Sequence, residues 1–208
     1  MMVIGIAGGS GSGKTTFVRG LRSRLKGIGM TVLAQDAYYH DRSDLSQLER
    51  QALNFDTPEA IDFDLMTAHA RQLLAGEVVE QPVYDYLSCT RAEETERLEP
   101  APVIVVDGIL ILGHAPLRAV MDLSVFLDIP ADLRLLQLIE RDVAERGRDA
   151  QAVLQRYMDT VRPMHLQYVE PSRVQADFVL PHGGRNPVAL DMVSGYIRQR
   201  LTAQQPSA

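Results

Sequence analysis

An apolar run, Val3-Ile-Gly-Ile-Ala7, leads straight into Gly8-Gly-Ser-Gly-Ser-Gly13-Lys14-Thr15, and a helical stripe of Phe17, Leu21, Leu25 and Ile28 follows. Strand, glycine-rich turn and helix in that order fit the phosphate-loop pattern G-x-x-x-x-G-K-[ST]. Glycines let the backbone turn tightly and aim successive N–H groups inward. The helix N-terminus adds partial positive charge. Lys14 brings a full charge to the β- and γ-phosphates, and Thr15 offers a hydroxyl to Mg²⁺. Gly8, Gly9, Ser10, Gly11, Ser12, Gly13, Lys14, Thr15 and Thr16 are therefore the expected phosphate cradle of a nucleoside triphosphate.

A strand that opens into such a loop belongs in a parallel sheet, and the chain supplies partners. Val103–Asp107, Leu123–Leu127 and Phe178–Leu180 are short apolar runs, and Thr31–Ala34 is a shorter one. Helical stripes separate them: Leu135, Ile139 and Val143; Val153, Tyr157 and Val161 with Leu154 and Met158; and Met192, Val193, Tyr196, Ile197 and Leu201. The last helix opens with Asn186 as N-cap and Pro187 at the first helical position. The expectation is a three-layer α/β domain over residues 1–208, with a parallel sheet between helices and right-handed crossovers. Residues 36–102 interrupt this rhythm, with helices expected near 43–52 and 61–74 and a hairpin near 82–90. A long insertion between core strands is where an acceptor pocket or lid is built. Residues 202–208 read as a frayed end.

The net charge of −6 argues against nucleic acid or an anionic membrane as partner, so an anion site must be local. The single cysteine, Cys89, forbids an internal disulfide and points to a reducing, cytoplasmic setting. No apolar run has the length of a membrane helix, and Met1–Gly9 lacks the basic start of a signal peptide. The five histidines are scattered, which gives no zinc spacing, and His165 reads as structural.

Two carboxylates stand where a phosphate-loop site needs them. Asp107 ends a strand and is the expected second anchor of Mg²⁺, directly or through water. Asp36 follows the strand Thr31–Ala34, at the sheet edge that faces the ligand crevice, where it can orient an acceptor hydroxyl and take its proton. Asp56 and Glu59 have capping-box spacing, and Asp62 and Asp64 read as capping residues. Arg141, Arg146 and Arg148 surround Gly147 between two helices and suit a clamp on a transferring phosphoryl group. Arg19, Arg22, Arg24 and Lys26 read as a solvated helix face.

Taken together, these blocks resemble the uridine–cytidine kinases, within the phosphoribulokinase/uridine kinase group of P-loop kinases. The resemblance runs from Val3 to about Ile197. Besides the phosphate loop it rests on Gln35-Asp-Ala-Tyr-Tyr39, Asn54-Phe-Asp-Thr-Pro-Glu-Ala60, Pro82-Val-Tyr-Asp-Tyr86, Asp107-Gly-Ile-Leu110, Arg141–Arg148, Thr160-Val-Arg-Pro-Met-His165, Glu170-Pro-Ser172, Ala176-Asp177 and Pro181-His-Gly-Gly-Arg-Asn186. It implies a five-stranded parallel sheet, a small hairpin over the nucleoside and an arginine lid at 141–150. The implied reaction is phosphoryl transfer from ATP or GTP, with Mg²⁺, to the 5′-hydroxyl of uridine or cytidine in pyrimidine salvage. On this resemblance Asp36 acts as base, with Lys14, Arg141 and Arg146 on the phosphates. Tyr39, Phe55, Tyr84 and Tyr86 line the nucleoside pocket, Asp56 binds ribose hydroxyls, and Arg148 reaches towards the base. Gly183 and Asn186 lie near the donor adenine. A homotetramer is implied as well.

Four positions depart from the pattern: Cys89 in place of a base-contacting histidine, Asp107 in place of glutamate, Leu138 in place of a ribose-side arginine, and Arg156 in place of glutamine. Leu138 reads as the edge of its helix's apolar stripe and Arg156 lies off its own; either Arg156 resupplies the lost guanidinium to the nucleoside, or it is a surface arginine and Leu138 a repacked core residue. A thiol is a weak hydrogen-bond partner, so Cys89 leaves the uridine-to-cytidine preference open. Two other readings stay open: a kinase with another acceptor (phosphoribulose, pantothenate or nicotinamide riboside type), and a P-loop protein that is not a kinase. The Tyr84-Asp-Tyr86 block argues for a flat ring in the pocket, and no Asn-Lys-x-Asp motif supports a GTPase.

Overall fold

Every apolar run expected to be a strand is one. They are β1 (Met2–Gly8), β2 (Met30–Ala34), β5 (Val103–Asp107), β6 (Leu123–Asp128) and β7 (Phe178–Pro181), and the insertion adds the antiparallel pair β3 (Val79–Asp85) and β4 (Thr90–Leu98). The computed structural model describes residues 1–204, except the side chains at 145 and 146. The main sheet is parallel throughout, with strand order β2-β5-β1-β6-β7. Side chains alternate strictly along its central strands. Met2, Ile4, Ile6, Val103 and Val105 face one core layer, while Val3, Ala7, Ile104 and Val106 face the other.

The first layer is closed by α1 (Lys14–Arg24), through Phe17 and Leu21, and by the C-terminal helix Pro187–Ala203, through Leu190, Val193 and Ile197. Asn186 caps that helix by accepting from the Ala189 N–H, as expected. Of its expected stripe, Val193 and Ile197 are buried and Leu201 packs against them, while Met192 and Tyr196 are exposed. The helix holds Thr202 and Ala203, so the expected fraying does not start there; residues 205–208 lie outside the described residues. On the other side lie α3 (Phe63–Leu74) and the short α4 (Ala115–Arg118), while α2 (Gln47–Gln51), in the insertion, buries none of its residues. Of these, α3 buries Phe63, Met66, Ala70 and Leu73 against the second layer. The capping box belongs to Ser46 and Glu49, at the start of α2, and not to Asp56 and Glu59. Asp62 caps α3, as its position predicted.

After β6 come α5 (Ala131–Arg146) and α6 (Ala150–Arg156), hinged at Gly147 in the left-handed conformation. The helical path continues through π-turns at Tyr157–Val161 and His165–Val169, which flank α7 (Arg162–Met164), and then through α8 (Glu170–Ser172). Leu138 is 2 % exposed and packs on Val153, Tyr157 and Val161. It is thus the centre of the α5 stripe and not its edge, while Val143 is exposed.

Candidate active site

The register of the sheet builds the site. Ile6, Asp107 and Ala34 are paired across β1, β5 and β2, so β2 and β5 end level while β1 runs on to Gly8. The phosphate loop, Asp107 and the segment carrying Asp36 therefore emerge side by side at the C-terminal edge, where strand order reverses and ligands of α/β sheets bind. They open onto a cleft of about 1190 Å³.

At one end lies the phosphate loop. Gly8, Gly11 and Gly13 all have positive φ. Gly9, Ser10 and Ser12 complete the turn, with the Ser12 N–H donating to the Gly9 carbonyl at 3.0 Å. Lys14 reaches back to the carbonyls of Gly8 and Gly9 at 3.0 and 3.4 Å. Burial lowers its pKa, and the carboxylates of Asp107 and Asp36 oppose that shift. Ser10, Lys14 and Thr15 line the cleft, whereas Thr16 is exposed and is not on its wall. The turn Gly183–Arg185 sits directly on the loop, and a β-carbon on Gly184 would fall on the Gly13 carbonyl. Only glycine permits this approach. Of the expected adenine-side residues, Gly183 stands beside the loop and Asn186 caps the last helix, and neither lines the cleft.

Asp107 and Asp36 sit in the middle, both within the field of Lys14. Desolvation raises the Asp107 pKa to about 6, against the pull of Lys14. Its Oδ1 is buried without a hydrogen-bond partner. A hard oxygen donor left unpartnered in a cleft that Thr15 also lines fits Mg²⁺, which keeps several waters and takes its other ligands from phosphates. Among the described residues no group of three acidic, histidine or cysteine side chains forms a cage by itself, in keeping with such a shared site. Gln35, buried beside Asp36, accepts from the Leu110 N–H at 2.8 Å and so ties the Asp36 segment to the turn after Asp107.

The far end is aromatic. Tyr39 meets Phe55 and Tyr84 with ring centroids 5.3 and 4.9 Å apart, and Tyr84 meets Tyr86 at 5.6 Å. Tyr86 donates its hydroxyl to Asp36 Oδ2 at 3.3 Å. The β3–β4 hairpin that carries this wall is stapled in place by Arg91, which donates to the Tyr39 carbonyl at 2.8 Å and pairs with Asp62 at 3.2 Å. Cys89 lies at the hairpin turn with φ 54, a conformation unusual for a residue with a side chain, and lines the cleft.

Asp56 is 4 % exposed, and desolvation raises its pKa despite the Arg156 guanidinium 3.2 Å away. Arg141, Arg148 and Arg156 all line the same cleft. The Arg146 side chain lies outside the described residues. Arg19 and Arg22 are exposed, as a solvated face requires, yet stand at the cleft rim. His165 has no place in the cleft wall: it is packed behind the phosphate loop against Gly9, 3.4 Å from Glu170, and burial holds its pKa down to about 4.

Sequence reasoning passed over one residue that the structure makes prominent. Asp142 is fully buried among these arginines, bonded to Arg141 and Arg148. An acid within an arginine-rich helix end reads as surface charge, so only the helix turn at Gly147 reveals its position.

The Phosphoribulokinase / Uridine kinase family matches residues 3–189. The uridine kinase of Lactiplantibacillus plantarum is 46% identical over 200 residues, 96% of each chain. That of Bacillus mycoides is 48% identical over 192 residues, 92% of this chain and 91% of the relative. Among solved structures, phosphoribulokinase from Rhodobacter spheroides superposes with a TM-score of 0.60 at 18% identity, covering 89% of this chain and 73% of that one, a likeness of fold.

Proposed function

The chain belongs to the phosphoribulokinase/uridine kinase family, and we propose that it transfers the γ-phosphoryl of ATP or GTP to the 5′-hydroxyl of uridine or cytidine. One observation carries this reading. Asp36 stands between a phosphate loop and a pocket walled by Tyr39, Phe55, Tyr84 and Tyr86, at the junction where a donor phosphate and a flat-ringed acceptor would meet.

Phosphoryl transfer asks the protein for position and charge rather than covalent chemistry. The loop N–H groups and Lys14 hold the donor phosphates, and Arg141, with Arg146, neutralises charge that develops on the transferred group. Asp36 orients the acceptor hydroxyl and accepts its proton as the new P–O bond forms; Tyr86, bonded to the same carboxylate, yields that position to the substrate. Asp56 binds ribose hydroxyls, the tyrosines pack on the base, and Cys89 and Arg148 stand at its edge. Thr15 and Asp107 would hold Mg²⁺, whose chemistry here is to neutralise oxygens of the β- and γ-phosphates. Closing α5 and α6 over the cleft excludes water, so ATP is spared idle hydrolysis.

The test is a panel. With Mg²⁺ and ATP, the chain should form a monophosphate from uridine or cytidine and none from ribulose 5-phosphate or pantothenate. Product from one of the latter alone would replace this acceptor with another.

A further inference from the structure

We infer that Asp142 is a positioning residue: it presents the Arg141 and Arg148 guanidiniums to the donor phosphates and ties them to the acceptor side through Arg156. The inference rests on the reading above of Arg141 and Arg148 as cleft arginines that meet substrate.

Asp142 is 0 % exposed. A carboxylate taken wholly out of water is tolerated only if paired and hydrogen-bonded. Among the described side chains three arginines meet it. Arg141 grips Oδ1 with Nε and a terminal nitrogen at 2.9 and 2.7 Å. Arg148 donates to Oδ2 at 2.8 Å, and Arg156 stands 3.8 Å from that oxygen. The backbone of the same residue holds the helix turn, since its carbonyl accepts the N–H groups of Gly147 and Arg148. Each of the three guanidiniums is about one-third exposed and lines the cleft. One buried anion thus fixes the Arg141 and Arg148 forks by hydrogen bonds, while both side chains keep a part that lines the cleft, and it stands in ion-pair range of Arg156. Arg156 extends the chain of charges to Asp56 at 3.2 Å, on the nucleoside side. Long arginine side chains lose rotamer freedom when they bind a phosphate; a carboxylate that has already ordered them reduces that loss.

Charge alone predicts the opposite of positioning. Removing an anion beside three cations makes the cleft more positive and should tighten phosphate binding. The inference is that orientation outweighs this gain.

The test measures the affinity of the full-length chain for the Mg²⁺ complex of β,γ-imido-ATP by calorimetry, with kcat for uridine alongside. Asp142→Asn keeps the shape and removes the charge. It should weaken the analogue about 10-fold and lower kcat about 100-fold, the scale of an ångström-sized misplacement. In an Arg141→Ala/Arg148→Ala background the same change should alter the analogue's affinity by no more than about 2-fold, the limit for sites that act independently. Unchanged or tighter binding in Asp142→Asn, or a full effect in the Arg141→Ala/Arg148→Ala background, overturns the inference. Should Asp142→Asn fail to fold, Arg141→Lys replaces it. It keeps the charge on a partly exposed side chain but loses the two-nitrogen grip, and should lower kcat about 10-fold with an unchanged KM for uridine. Wild-type kcat in that variant overturns the inference. Absence of product from the unmodified chain would fault the acceptor assignment and leave the binding measurement to decide the role of Asp142.

Discussion

Arg156 and Asp56 are 100 residues apart in the chain and form an ion pair of 3.2 Å inside the cleft. Burial raises the Asp56 pKa, the nearby Asp36 carboxylate adds to the rise, and Arg156 is the largest influence opposing it. The arginine therefore helps keep ionised the carboxylate assigned to the ribose hydroxyls, and an ionised carboxylate is the better acceptor of their hydrogen bonds.

Replacing Arg156 with Gln tests this directly. The loss should raise the nucleoside KM about 10-fold, near 1.4 kcal/mol, while the KM for ATP stays within about 2-fold. Steady-state kinetics with each substrate varied in turn reads both values. An unchanged nucleoside KM would mean that the guanidinium displaced by Leu138 is not resupplied from α6.

Cys89 bears on base choice. It lines the pocket in a left-handed turn position, its Sγ 3.5 Å from the Tyr86 carbonyl. Histidine tolerates that backbone conformation better than most residues and makes stronger hydrogen bonds. Cys89→His should therefore fold normally and shift the ratio of kcat/KM for uridine over cytidine by about 10-fold. Competition between the two nucleosides in one reaction gives the ratio; an unmoved ratio would place Cys89 away from the base.

The buried Asp107 makes a prediction about pH. Its carboxyl holds its proton up to about pH 6 in the folded chain, against 3.8 for an ordinary aspartate. The folded state thus binds the proton more tightly than the unfolded state does. Below the ordinary value both states are protonated and there is no penalty. As pH rises from there through about 6, stability falls and then levels. Asp107→Asn has no such term, so in metal-free buffer its advantage in thermal midpoint should appear over that window and persist above it. Thermal midpoints measured at intervals from about pH 4 to about pH 8 would show it. A constant difference across the range would contradict the burial of an ionising group at this position. The same variant should lose most activity, since Asn is a poor Mg²⁺ partner.

Gly184 is fixed by its approach to the phosphate loop, where a β-carbon would collide with the Gly13 carbonyl. Gly184→Ala should displace the loop and weaken ATP binding by about 10-fold or more, read by calorimetry. Wild-type affinity would mean that the two turns separate freely.

Much of this site was legible in sequence because its signals are local. The phosphate loop is contiguous, and Asp36 and Asp107 follow apolar runs whose parallel pairing places their ends together. Other parts depend on geometry that a string conceals. Along α5, positions four apart drift by about 40° per step, so a stripe read as Leu135, Ile139 and Val143 rotates off the core at its end. The face that is buried instead runs through Leu138 and Asp142. Nor does any local pattern announce that Arg91 would staple the hairpin to the Tyr39 carbonyl, because the partners meet only in the folded chain. The departures at Leu138 and Arg156 were visible as residues, and Arg156 lines the cleft as expected; that Leu138 sits at the centre of the buried stripe was not legible.

The central claim is that Asp36 activates a pyrimidine nucleoside hydroxyl for attack on a bound triphosphate. The most direct measurement is Mg²⁺- and ATP-dependent phosphorylation of uridine and cytidine side by side, by the natural chain and by Asp36→Asn. The account predicts monophosphate from at least one nucleoside and a loss of kcat between about 10² and 10⁴-fold in the variant, with ATP still bound. Equal turnover by both proteins would contradict the role of Asp36, and no product from either nucleoside would contradict the acceptor.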